Sequence, residues 1–115
     1  MPRMLVAWLF VATARPWTLV CGGDIMLNGV SPRAGALRNV RGVLEKADVA
    51  YANLEIPITS ANIPTRRKSK ADIKAKRQFV LKADPVHVGS LAALGLDIVS
   101  LANNHAMDYG AHGLN

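Results

Sequence analysis

Val49-Ala50-Tyr51-Ala52-Asn53-Leu54, followed at once by Glu55-Ile56-Pro57, is the stretch on which the fold turns. Small, β-branched and aromatic residues over six positions make a buried strand, and the proline ends it because its ring nitrogen donates nothing to a central ladder. Upstream, Thr18 to Cys21 is a second β-branched and apolar run that stops at Gly22-Gly23-Asp24, the composition of a tight turn. Between them the spacing predicts a helix from Pro32 to Ala47, with Ser31 as cap and Pro32 at the first position. Leu37, Val40 and Leu44 fall on one face of it, and Arg38, Arg41 and Glu45 on the other.

Downstream, Thr59 to Gln78 is rich in Ser, Thr, Asn, Pro and cations without clear periodicity and reads as a long exposed loop. Phe79 to Lys82 reads as a short strand. Asp84 as cap and Pro85 as first residue open a second helix that Gly95 stops. Ile98 to Ala102 is a third strand, and Asn103-Asn104-His105 follows directly. The order is strand, helix, strand, loop, helix, strand, which predicts an α/β fold of parallel β-α-β units.

In open parallel sheets ligands gather beyond the carboxyl ends of the strands. Here those ends carry Asp24, Glu55 and the pair Asn104 and His105. Carboxylate and amide oxygens with one imidazole make a mixed oxygen and nitrogen donor set, suited to a divalent metal of the Mn, Zn, Fe or Mg kind. Each element also has a plain structural explanation: a glycine turn, a solvated glutamate, a polar turn after a strand. The combination is more specific than its parts. His87, inside the second helix, and His112, in a glycine-flanked tail, read as structural or surface residues.

The chain has 115 residues, half of them apolar, and a formal net charge of +6, which fits one globular domain and excludes a disordered tail. The charge is local. Seven of the 14 Lys and Arg lie within Arg66 to Arg77 beside one acid, Asp72, and the remainder of the chain is balanced. A solvated loop explains that run; so does a patch for an anionic polymer, with Arg66, Arg67 and Lys68 at its start. Nucleic acid ranks last as a partner, because no aromatic residues interleave the cations. The only cysteine, Cys21, rules out an intrachain disulfide, and its apolar neighbours Leu19 and Val20 predict a buried, inert thiol.

Residues 1–14 read as an export signal: Arg3, then an apolar run from Met4, then Ala12-Thr13-Ala14 as a cleavage site. The run is shorter than the roughly 20 residues a membrane-spanning helix needs. A first strand over Leu5 to Val11, or an extension upstream of the true start, remains an open alternative.

Three motifs now carry a resemblance. Gly23-Asp24-Ile25-Met26-Leu27, Ala52-Asn53-Leu54-Glu55-Ile56-Pro57-Ile58-Thr59, and Val99-Ser100-Leu101-Ala102-Asn103-Asn104-His105-Ala106-Met107-Asp108-Tyr109-Gly110 resemble, in order, the motifs of the bacterial poly-gamma-glutamate capsule-synthesis family (CapA-like, PGA_cap). That family is related to the calcineurin-like metallophosphatases, and the likeness covers roughly Leu19 to Leu114. It implies the amino-terminal part of an αββα sandwich, two sheets flanked by helices, over residues 18–115.

The resemblance also implies roles: Asp24, Glu55 and Asn104 as metal ligands, His105 as the histidine that contacts the scissile group, and Asn53, Asn103 and Asp108 as secondary residues. Met26 stands where metallophosphatases have a second metal-binding histidine, and Ala106 where an acid follows the Asn-His pair, with Asp108 available to orient His105 instead. These departures leave open a single or weakly held metal in place of two.

Metallophosphatases complete the site with histidines from later strands, whereas this sequence stops at Gly113-Leu114-Asn115. The expectation is therefore a truncated domain that binds metal weakly and is inactive by itself. The function implied is a bacterial, exported, cell-envelope or extracellular protein of capsule biosynthesis, working with the capsule synthesis machinery. Two readings stand beside each other: a metal-dependent hydrolase acting on a phosphoester or on an anionic polymer such as poly-gamma-glutamate, and a noncatalytic component holding that polymer through Arg66 to Arg77.

Overall fold

The computed structural model describes residues 16–31, 35 and 37–114; the expected export signal and the expected start of the first helix at Pro32 lie outside the described residues. Its elements in chain order are strand β1 (Leu19–Ile25), helix α1 (Arg38–Leu44), strand β2 (Val49–Leu54), helix α2 (Lys70–Lys74), a 3-10 turn (Pro85–His87) running into helix α3 (Val88–Ala92), strand β3 (Ile98–Ser100) and helix α4 (Gly110–Leu114). The three strands form one parallel sheet in the order β1-β2-β3, so Val49 to Leu54 is its centre. The fold is α/β, as expected.

The register sorts the side chains. Along β2 burial alternates, with Ala50, Ala52 and Leu54 buried and Val49, Tyr51 and Asn53 half-buried between them. Ala50 packs with Leu44 of α1 and Leu94 just after α3, and Val20, Leu37, Leu91 and Leu96 close around them. A second cluster of Leu27, Ile56 and Ala83 lies where the chain leaves β1 and β2. Burial of these side chains is the main stabilising term, at about 1.5 to 3 kcal/mol for each large one. The opposite face of the sheet, which carries Leu19, Cys21 and Ile98, is exposed. Cys21 is therefore not the buried thiol its apolar neighbours predict: alternation places it on the open face, opposite Tyr51.

Gly22-Gly23-Asp24 does not end β1. The strand runs on to Ile25, and its register against β2 shifts between Cys21 and Asp24. Asp24 lies three residues beyond Cys21, but its partner Asn53 lies only two beyond Tyr51, the partner of Cys21, so β1 holds one residue more than β2 over that interval: a β-bulge. Gly22 is pressed against β2, where a Cβ would lie 3.3 Å from that of Ala52.

Helix α1 ends at Leu44, short of the expected Ala47, and Gly35, at φ +55, is not in the right-handed helical conformation. Inside the expected loop α2 forms, its first turn capped by the Ser69 side chain accepting from the Asp72 amide. Phe79 to Lys82 is not a strand; only an isolated bridge links Ile58 and Ala83, and the Leu81 amide donates instead to the Asp108 carboxylate at 2.7 Å. The start at Asp84 and Pro85 is as expected, with Asp84 accepting from the Val86 amide at 2.9 Å, and Gly95 takes the left-handed conformation at φ +79. Among the described residues no helix is long and apolar enough to cross a membrane.

Candidate functional site

The bulge decides where Asp24 goes. In an unbroken register Asp24 would pair with Leu54 and turn toward the helices; with the extra residue it pairs with Asn53, on the open face. Asn53 Nδ2 then donates to Asp24 Oδ1 at 2.8 Å and to Glu55 Oε2 at 2.7 Å. One amide nitrogen thus holds two carboxylates from adjacent strand ends.

The polarity of that amide is fixed from the backbone. After β3 the chain turns so that the amides of His105 and Ala106 both donate to Asn103 Oδ1, at 3.0 and 2.9 Å. Asn103 Nδ2 must then be the donor, and it gives to Leu54 O at 2.9 Å and to Asn53 Oδ1 at 3.0 Å. With its oxygen engaged, Asn53 can offer the carboxylates only N–H. Asp24 and Glu55 are received as acceptors, and among the described residues neither forms an ion pair with a lysine or arginine.

His105 stands beside this pair, with Nε2 3.9 Å from Glu55 Oε1. Its other nitrogen, Nδ1, lies 2.7 Å from Asp108 Oδ2. Asp108 is completely buried and also accepts from the Leu81 amide on the same oxygen. A carboxylate at that distance accepts from Nδ1–H, so the neutral ring of His105 carries its proton on Nδ1 and its lone pair on Nε2. Asp108 Oδ1 makes no hydrogen bond of regular geometry; its compensation is the Lys68 ammonium at 2.5 Å.

Asp24, Asn53, Glu55, Asn103, His105, Asp108 and Lys68 are therefore one connected group. Asn104 is exposed and lies outside it, at the wall of a cavity of about 310 Å³ shared with Lys68, Arg77, Gln78, Phe79 and His105. It is Asn103, the first of the two asparagines, that meets the strand ends. Arg66 and Arg67 point to solvent, while Lys68 is turned inward with its side chain 15% exposed. His87 is buried and His112 exposed. Among the described residues no three His, Cys, Asp or Glu side chains stand close enough together to form a ligand group alone. The donors fit a divalent cation in kind: among the described residues Asp24 and Glu55 present carboxylate oxygens that pair with no lysine or arginine.

Two features escaped the sequence reading. The bulge has no local signature beyond its glycines, and the inward turn of Lys68 has none at all.

The profile of the family described as bacterial capsule synthesis protein PGA_cap matches residues 18–115. The chain belongs to that family. No curated protein matches the chain. The PGA_cap profile begins at the threshold of β1 and spans all three strand ends, so every residue of the connected group lies within it. Capsule synthesis is accordingly the chain's function at the level of the family, and it associates the protein with the cell envelope.

Proposed function

We propose that this PGA_cap protein is exported through residues 1–14 and serves poly-gamma-glutamate capsule synthesis as a metallophosphatase-type, metal-dependent hydrolase. The observation that carries the reading is the hydrogen-bonded path from Asp24 through Asn53 to Glu55, with His105 Nε2 standing 3.9 Å from the Glu55 carboxylate. Asp24 and Glu55 would hold a divalent cation of the Mn, Zn, Fe or Mg kind; Asn104, at the wall of the neighbouring cavity, is not among the residues gathered at the strand ends. That cation supplies Lewis-acid polarisation of a phosphoryl or carbonyl oxygen on the substrate.

The chain's own residues do the rest. Asn53 keeps the two carboxylates in place and limits their mutual repulsion by donating to both. Asp108 holds the Nδ1 proton of His105, so proton traffic is confined to Nε2. In the imidazolium form Nε2 delivers its proton to the leaving group, and the Asp108 carboxylate stabilises the charge left on the ring.

Manganese titration of the 115-residue chain tests the reading. Binding weaker than micromolar is expected, falling roughly tenfold, or about 1.4 kcal/mol, in Asp24→Asn and Glu55→Gln. Identical titrations for wild type and both variants would overturn it. In a hydrolytic assay on the full-length gene product, His105→Ala retaining full turnover would remove His105 from the chemistry.

A second reading is favoured by the exposure of Arg66, Arg67, Lys70, Lys74 and Lys76. It makes the protein a noncatalytic holder of anionic polymer. Unchanged retention of polyglutamate by Arg66→Ala/Arg67→Ala would eliminate that reading.

A further inference from the structure

The excursion from Thr65 to Leu81 is fastened at both ends to one buried residue. The Thr65 amide donates to the Asp108 carbonyl oxygen at 2.7 Å, and the Leu81 amide donates to Asp108 Oδ2 at 2.7 Å. Lys68 closes the arrangement: its ammonium lies 2.5 Å from Asp108 Oδ1, donates to the Phe79 carbonyl at 2.7 Å and rests 3.2 Å from His105 Nδ1. We propose that Lys68 is a positioning residue for His105: by occupying Asp108 Oδ1 it fixes the carboxylate so that Oδ2 accepts a hydrogen bond from Nδ1–H and Nε2 is left without a proton.

The argument is one of allocation. Asp108 has two oxygens and no solvent, so each must find a donor within the protein. Oδ2 serves the Leu81 amide and His105 together, and both contacts survive only while the carboxylate plane holds its angle. Among the described residues Oδ1 has no other partner than Lys68. Without the ammonium the carboxylate is free to rotate and His105 loses the acceptor that selects its tautomer. Lys68 cannot itself donate to Nδ1 while that nitrogen carries a proton, so the 3.2 Å approach is a consequence of their shared carboxylate. One cation of the basic run is thereby assigned to the interior, and Arg66 and Arg67 remain for any outside partner.

The proposal rests on the reading of His105 as the group that handles the proton, but its test needs neither metal nor turnover. Nitrogen-15 NMR of the His105 ring in the full chain, at a pH where the ring is neutral, reads the tautomer directly. Wild type is expected to show a protonated Nδ1 and a bare Nε2. Lys68→Met should shift both resonances toward the average of a mixed population, and Lys68→Arg, which restores a cation, should return them toward wild type.

A wild-type ring protonated on Nε2 overturns the proposal outright, whether or not any variant folds. So does a folded Lys68→Met with unshifted resonances. A chain that binds no manganese yet shows the expected tautomer pattern sinks the metal reading and supports this one.

Discussion

Asp108 is a fully buried carboxylate whose counter-charge, Lys68, comes from a segment forty residues earlier, and a double-mutant cycle measures what that pairing is worth. Lys68→Met keeps the aliphatic stem and removes the charge, leaving Asp108 Oδ1 unaccompanied in the interior; the expected loss is about 3 to 5 kcal/mol. Asp108→Asn removes the charge but keeps an oxygen for the Leu81 amide, and Lys68, 15% exposed, retains the Phe79 carbonyl and some water. Its expected cost is about 1 to 3 kcal/mol.

Were the two changes independent their costs would add. Because the double variant no longer buries a lone charge, it should be less destabilised than that total by about 2 to 3 kcal/mol, the size seen for residues that share a buried network. Urea unfolding followed by far-ultraviolet circular dichroism gives the four free energies, and equal slopes across the set confirm that the same surface is exposed each time. A coupling below about 0.5 kcal/mol would refute the account of Asp108 as a charge that depends on Lys68.

Three further outcomes follow from the geometry. Deleting Gly23 removes the extra residue of the bulge and leaves Asp24 opposite Asn53 in an unbroken register, so manganese binding should stay within about threefold of wild type; a loss of roughly tenfold or more, about 1.4 kcal/mol, would show that pairing with Asn53 is not what places Asp24. Gly95→Ala forces a left-handed backbone on a residue with a side chain and drives a Cβ to 2.8 Å from Glu45 Cγ; a loss of about 1 to 2 kcal/mol in the same urea assay is expected, and a neutral result would contradict the φ of +79. Cys21 is exposed, so a maleimide should label it stoichiometrically without denaturant, whereas labelling only on unfolding would return it to the interior.

What was legible in the sequence is what is locally encoded. The strand from Val49 to Leu54 depends on its own residues, and the Asp84-Pro85 start needs only a cap and a fixed φ, so both stand in the structure as read. The helix over Lys70 to Lys74 was missed: Ser69 with Asp72 three residues on is a capping pattern, but the density of cations and the lack of apolar periodicity around it read as loop.

The bulge belongs to another class. Gly22-Gly23-Asp24 has the composition of a turn, and only pairing with a strand almost thirty residues away makes it strand instead. Cys21 misled for the same reason, since its apolar neighbours cannot say which face of a sheet is covered. Lys68 is chemically indistinguishable from the cations around it, and its inward turn exists only because Asp108 is buried beneath it.

The candidate site has an internal direction that follows from hydrogen-bond chemistry alone. Two backbone amides at the end of β3 can only donate, so Asn103 must present its oxygen to them and its nitrogen to Asn53, and Asn53 must in turn present its nitrogen to Asp24 and Glu55. A peptide turn on one strand end thereby sets the chemical face shown to carboxylates on the other two. The same turn places His105, whose far nitrogen is governed by Asp108 three residues on. Because both paths start within four residues of each other, the segment Asn103 to Asp108 fixes the position of the acceptors and the state of the imidazole together. The long motif after the third strand is thus informative for a physical reason, since it contains the donors from which the rest of the rim takes its orientation.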